Sequence, residues 1–456
     1  MGDLCEGRYD AQDEGALREE IVRRIADDGI RTVRLAVVDL HGIPRAKMVS
    51  AESFTHVMQS GHPWQLPLLA VDIWQNVPEG TGYAAEVAYG NGTMRPDLRT
   101  FTRLPWARDT AHVIADVYLR DGTCAVTPRH VLARVLQRAH ALGFEPRLGS
   151  ELEFYIYVRQ DDAFRPPFGM QAWFTDQALG QVHSLLDDFF RYLPAMGLPV
   201  YEIFNEHGGG QFEANLRPGT GLGAIDHVIL TKVAIKEIAH RHGYRATFMT
   251  KPANDDETPP SGYHLHQCLL DKDGANAFTS GAAMDALSDV ARHYIGGQLR
   301  HAMGLTGIAA PTVTSYKRLS PGTWAPVRAA WGVDNRTAMV RALIDGPDTR
   351  IENRLAGSCA NPYLLAAAMV ATGLDGVEHS IDPGDPAAHN VLEDERYPHV
   401  PTCLIDGLRA FEEDTILVEA LGHDFTRAYL GVMKHVWKRF QSFVTDWEIK
   451  EYREVL

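Results

Sequence analysis

A chain of 456 residues exceeds what one ordinary core organises, so two domains are expected. Apolar residues at 45% and charged residues at 23% fit a globular protein, and a formal charge of −15 argues against one that grips nucleic acid through a basic face. The scattered Cys5, Cys124, Cys268, Cys359 and Cys403 lack CxxC spacing, and no window is apolar enough to span a bilayer, so a reducing, cytoplasmic setting without a membrane partner is expected.

The acidic, polar start predicts disorder over residues 1–14. Leu17, Ile21, Val22 and Ile25 then recur at helical spacing from Gly15 to Asp28, with Gly29 as a stop. TVRLAVVDLHGIPRAKMV reads as two strands joined by a turn at His41-Gly42, and LPLLAVDIW as a further strand. This β-rich unit is expected to close near Asp121-Gly122. Thr127 caps a predicted helix with Pro128 at its first position, an apolar face from Val131 to Leu142, and Gly143 at its end. Strand and helix patterns alternate beyond it. The segment from Asp382 to Arg396 reads as a surface loop, and the final FVTDWEIKEYREVL is expected to dock.

Four segments carry the chemistry. In GSELEFYIY, Glu151 and Glu153 share a strand face, where two carboxylates repel unless a cation lies between them; an edge strand with solvated glutamates would show the same pattern. In YEIFNEHGGGQFEANL, Glu206 and Glu213 bracket three glycines that allow close backbone approach to a ligand, though a plain glycine hairpin reads alike. In SGYHLHQCLL, His264 and His266 share a face, a pairing that suits metal or phosphate as well as a structural role. Arg318, Arg336, Arg341, Arg350 and Arg354 then crowd around Glu352. Arginine's planar fork grips carboxylate and phosphate, although each arginine alone also suits a surface ion pair.

In order and spacing these blocks resemble the signature blocks of the glutamine synthetase family, a resemblance that runs from VRLAVVDLHGIPRAK to the C-terminus. It implies an α+β fold: a small N-terminal β-grasp domain (15–122) and a larger C-terminal catalytic domain (123–456) with a curved antiparallel sheet and helices. It implies rings, hexameric or dodecameric, with active sites shared between neighbours. ATP and Mg²⁺ (or Mn²⁺) are the implied cofactors, and glutamate and an amine the implied substrates. By position, Glu153, Glu206 and Glu213 match the ligands of the glutamate-side metal, and Glu151, His264 and Glu352 those of the nucleotide-side metal. Arg318, Arg336 and Arg354 match the arginines that hold glutamate and the moving phosphoryl group, with Arg318, Arg336 and Glu206 in catalytic roles. Gly262 belongs to the glutamate loop, Arg341 and Arg350 match residues near the ATP phosphates, and His266 one on the phosphate path. All six metal positions are present, which disfavours a non-catalytic ring protein.

The departures bear on the nucleophile. Ammonia-using relatives carry a flap glutamate in a G-Y-E-A-P context, whereas this chain reads PGTWAP, with Trp324 at that place. The DGSS aspartate is missing, with Asp72 in AVDIWQN as its substitute, and Trp173 or Phe174 falls where an aromatic lines the same pocket. Indole in place of carboxylate removes charge attraction and adds apolar and cation–π surface. The expected nucleophile is therefore an alkyl- or arylamine, of the isopropylamine or aniline type. Ammonia, as in an ordinary glutamine synthetase, and polyamines are the alternatives. A phosphate-cradling GxxxxGK[ST] loop and a Ser-His-Asp elbow are both absent from the sequence.

Overall fold

The computed structural model describes residues 11–125, 127–160, 163–169, 172–254, 258–280, 286–320 and 322–456, with side chains from residue 14 onward. Of the stretch expected to be disordered, residues 1–10 lie outside the described residues, while 11–14 open a helix, Ala11–Asp27.

Strands β1 (Thr32–Val38), β2 (Pro44–Ser50), β3 (His62–Gln65), β4 (Asn91–Pro96), β5 (Thr102–Arg103) and β6 (Thr110–Tyr118) form the first sheet in the order β2-β1-β6-β4-β3, with β5 beside β6. The β1–β6 pair is parallel and the others are antiparallel. The β1–β2 turn falls at His41-Gly42, where Gly42 has φ 75° and a Cβ would lie 3.2 Å from the Asn361 Cα, so glycine is needed twice over. LPLLAVDIW is not a strand. Leu66–Leu69 is a 3₁₀ turn opened by Pro67, and the chain then loops around Asp72, whose carboxylate competes with a sheet ladder for the local backbone N–H groups.

The second sheet comprises β7 (Glu145–Gln160), β8 (Ala163–Arg165), β9 (Val200–Asn205), β10 (Gln211–Thr220), β11 (Tyr244–Thr247), β12 (Tyr263–Leu270), β13 (Trp331–Val333), β14 (Val340–Leu343) and β15 (Arg350–Asn353). It is a curled sheet of order β13-β14-β15-β12-β7-β10-β9, with β8 and β11 also on β7; only β13–β14 is parallel. The long β7 is its spine. The fold is thus α+β, with a small N-terminal sheet and a larger, mostly antiparallel C-terminal one, and one apolar core runs continuously past both.

The helix after the first sheet spans Pro128–Ala141; the Thr127 hydroxyl accepts the His130 N–H and Pro128 fills the first turn, as read from the sequence. It carries buried Arg129, whose guanidinium reaches Asp97 and Asp116 from the first sheet and Asp226 on the helix Gly221–Arg241. The central helix Pro362–Glu378 is apolar all round and lies in the core, whereas residues 382–396 form a loop. No described helix is long and apolar enough to cross a membrane.

The C-terminal segment departs from expectation. Its helix, Asp446–Tyr452, has a full capping box between Thr445 and Glu448 yet buries no residue, leaving Phe443, Val444 and Trp447 exposed.

Candidate active site

Strand register assembles the site. Across β7, Glu151 stands opposite His264 of β12 and Glu153 opposite Glu213 of β10. One strand farther, Glu352 of β15 stands opposite His266 of β12 and Arg341 of β14. Period-two alternation puts these side chains on one face, so segments two hundred residues apart in sequence meet in one cluster.

The contacts are dense. Glu151 accepts from the His264 Nδ1 side at 3.1 Å and from the His266 Nε2 side at 2.8 Å. His264 also lies 3.4 Å from Glu352 and 3.8 Å from Glu153. Glu352, fully buried, accepts from Arg341 at 3.0 Å and pairs with Arg354. Arg350 donates to His266 Nδ1 at 3.3 Å. Two ligating groupings emerge, Glu151 with Glu213 and His264, and Glu151 with His266 and Glu352. His266, placed on the phosphate path by sequence, thus also stands within reach of a metal.

Electrostatics separates the carboxylates. Against the cost of burial, hydrogen bonds from His264 and His266 hold Glu151 well below its ordinary range, and Arg354 with His264 lowers Glu352. Burial, reinforced by Glu151, Glu153 and Glu206, drives Glu213 well up, and burial with Glu153 raises Glu206 to about 7. A donor set of imidazoles and mutually repelling carboxylates suits hard divalent cations.

Around this floor, Arg318 is buried, and its guanidinium donates to the carbonyls of Leu355 (2.9 Å) and Arg354 (3.0 Å). Burial pulls it down to about 10, which leaves it cationic at neutral pH. Gly262 is required by crowding: a Cβ there would lie 2.8 Å from His264 Nε2, 2.9 Å from Arg318 NH2 and 3.1 Å from Glu153 Oε1. Its N–H instead donates to Glu153 at 2.9 Å. Gln211, which the sequence gave no reason to single out, donates to Glu153 at 2.9 Å and to Ser261 at 3.1 Å, fixing the carboxylate from the other side.

At the rim, the Thr323 hydroxyl donates to the Arg318 carbonyl at 2.6 Å, tying a tight turn to the site and leaving the next residue, Trp324, 68% exposed. Trp173 packs edge-on to His207 with centroids 5.2 Å apart, beside Glu206, and Phe174 stacks on Phe204 at 5.0 Å. Arg336 is exposed on the loop between β13 and β14, which Asn335 pins through the carbonyls of Ala387 and His389.

Asp72 lies outside the cluster. It is fully buried, and its oxygens accept from the Trp74 and Asn76 N–H groups, the Asn76 side chain and Arg439 (2.5 Å), so its acceptor directions are taken within its own chain. Within one chain these bonds hold Asp72 in its own turn, apart from the carboxylate–histidine cluster.

The model of the glutamine synthetase catalytic domain matches residues 125–452. The γ-glutamylethanolamide synthetase of Streptomyces coelicolor is 34% identical over 443 residues, covering 95% of this chain and 94% of that one. A glutamine synthetase of Thermotoga maritima is 32% identical over 448 residues, covering 95% and 99%. Among solved structures, apo GmaS superposes with a TM-score of 0.85 at 30% identity, covering 95% of this chain and 99% of that one.

Proposed function

Because the chain belongs to the glutamine synthetase family, ligases that form carbon–nitrogen bonds with glutamate and ATP, we propose that its nitrogen donor is an organic amine with an apolar alkyl or aryl body, of the isopropylamine or aniline type. Trp324 carries this reading: an exposed indole next in sequence to Thr323, whose hydroxyl ties the turn to the Arg318 carbonyl, in the flap where ammonia-using relatives place a carboxylate. Trp173, leaning on His207 next to Glu206, supplies a second aromatic wall. The two relatives described above differ in nitrogen donor by name at nearly the same identity, so pocket chemistry rather than overall likeness has to decide.

In this reading Glu153, Glu206 and Glu213 hold one divalent ion toward glutamate, and Glu151, His264 and Glu352 hold another toward the nucleotide. When bound, Mg²⁺ or Mn²⁺ neutralises charge on the phosphoryl group passing from ATP to the glutamate γ-carboxylate. Arg354 and Arg341 are already oriented by Glu352, and Arg318 by two carbonyls, so these cations need little rearrangement to meet phosphoryl oxygens. Arg336 adds a cation from the rim, and Arg350 with His266 lines the phosphate side. The amine then attacks the acyl carbon, a C–N bond forms as the C–O bond to the phosphoryl group breaks, and inorganic phosphate leaves while the amine gives up a proton. The exposed Phe443, Val444 and Trp447 at the C-terminal helix support assembly into hexameric or dodecameric rings.

The test is phosphate release by the full-length protein with ATP, Mg²⁺, glutamate and an amine panel. Isopropylamine or aniline is expected to outpace ammonia in kcat/KM. Ammonia ahead of every organic amine establishes an ordinary glutamine synthetase, a diamine in the lead establishes a polyamine enzyme, and no turnover with any amine establishes a non-catalytic ring protein.

A further inference from the structure

A cavity of about 510 Å³ lies against the loop that follows β15. Its walls are largely apolar, with Leu40 and Ile43 from the first sheet's turn facing Phe248, Met249, Ile308 and Met433. Two ammonium groups enter it, from Lys232 and Lys236, one turn apart on the helix Gly221–Arg241. Both lie over the Phe248 ring, at 5.0 and 5.6 Å from its centroid. Lys232 donates to the Ser358 carbonyl at 2.7 Å. Among the described residues neither lysine has a carboxylate partner, and the nearby Glu237 is taken by Arg34 and by Trp106 at 2.8 Å. Burial and the adjacent Lys236 charge pull Lys232 down to about 7. Lys232, half-buried, and Lys236, exposed at the mouth, thus set two amines on one aromatic face of an apolar chamber of ligand size that none of the described residues fills.

We propose that this cavity is an effector site for a small carboxylate with an apolar body, its oxygens on Lys232 and Lys236 and its hydrocarbon against Phe248 and Met433. Inorganic phosphate is disfavoured, because a compact dianion would leave the apolar walls unfilled. The route to the catalytic centre is short. Lys232 holds the Ser358 carbonyl, Ser358 N–H donates to the Ser261 carbonyl at 3.1 Å, and Gly262 follows Ser261. The same loop supplies the Leu355 carbonyl to Arg318. An occupant that draws Lys232 away from Ser358 acts directly on the loop that aligns Arg318 and Gly262.

Titration calorimetry on the full-length protein tests this with 3-phenylpropionate, its uncharged amide and inorganic phosphate, each with and without saturating glutamate. The carboxylate is expected to bind saturably at one site per chain, the amide and phosphate not at all. Lys232→Met and Lys236→Met are each expected to weaken binding about tenfold or more, while Trp324→Ala leaves it unchanged. Glutamate is expected to shift the Kd about fivefold, as linkage between coupled sites requires. In the wild-type chain, bound carboxylate should slow alkylation of Cys359, which lines the cavity, as read by peptide mapping; this needs no variant to fold. Absence of saturable binding, equal binding of the amide or of phosphate, indifference to both lysine changes, a Kd untouched by glutamate, or no protection of Cys359 overturns the proposal. None of these readouts needs turnover, so their failure is distinct from failure of the amine assignment.

Discussion

Two buried ionic clusters in this chain are built to opposite ends. Around Arg129, three aspartates meet one guanidinium through hydrogen bonds of 2.7–2.9 Å, and Tyr363 adds a donor to Asp226. Despite its burial, Arg129 is held well above its usual range by Asp226 and Asp116. On the second sheet, carboxylates crowd one another: burial with Glu151, Glu153 and Glu206 pushes Glu213 up, and burial with Glu153 raises Glu206. The first cluster settles its charge within the fold and ties the first sheet to the helices of the larger unit. The second leaves its charge for something brought from outside.

Removing the cation from the settled cluster gives the largest expected effect. Arg129→Met removes the guanidinium that three buried carboxylates share and should cost about 3–5 kcal/mol, read as a fall in the denaturant midpoint that no divalent ion restores. If the loss is small, or Mg²⁺ reverses it, the contrast between the clusters is broken. Glu213→Gln should go the other way. Metal-free stability is expected to hold or rise, since a repelled charge has been removed, while phosphate release drops about a hundredfold. In the wild-type chain, added Mg²⁺ or Mn²⁺ should raise Tm by mass action, and Glu213→Gln should blunt that rise. A variant that unfolds in metal-free buffer would show Glu213 to be part of the scaffold instead.

A smaller effect probes the rim. Trp324→Glu restores a carboxylate to the flap and should swing the ratio of kcat/KM for ammonia over isopropylamine about tenfold or more toward ammonia. Because Trp324 is exposed, stability should hardly change. An unchanged ratio would remove Trp324 from the amine pocket.

How much of this was legible in sequence follows from the range of the signals involved. Glu151 with Glu153 and His264 with His266 announce themselves because a strand repeats every two residues, and Thr127-Pro128 because a cap is local. Gln211 could not be found that way: its partner Glu153 lies 58 residues back, and only register across β7 and β10 brings them together. LPLLAVDIW misled because its apolar run suits a strand, while one aspartate four residues ahead of an asparagine decides for a turn. The C-terminal aromatics were read as docking residues since composition says an apolar surface wants cover without saying which chain provides it.

The comparison between settled and unsettled charge can be sharpened at a third site, where the effect is smallest. His301 joins the helices 289–300 and 302–309, and its ring bonds Asp414 at 2.8 Å through one nitrogen and Asp375 at 3.0 Å through the other. Burial alone would lower its pKa, but the bonds to Asp414 and Asp375 raise it above the ordinary 6.5. A raised folded-state pKa means that protonated His301 stabilises the native chain fully below the unfolded value, and that this contribution fades as pH climbs through the folded value. The Tm difference between wild type and His301→Gln should therefore be widest below pH 6.5 and narrow steadily on the alkaline side. Added Mg²⁺ should leave that profile in place, since both partners of the ring belong to the fold. A difference that is flat with pH, or that widens toward alkaline pH, would mean that His301 sits there neutral and that its two aspartates are not matched by charge.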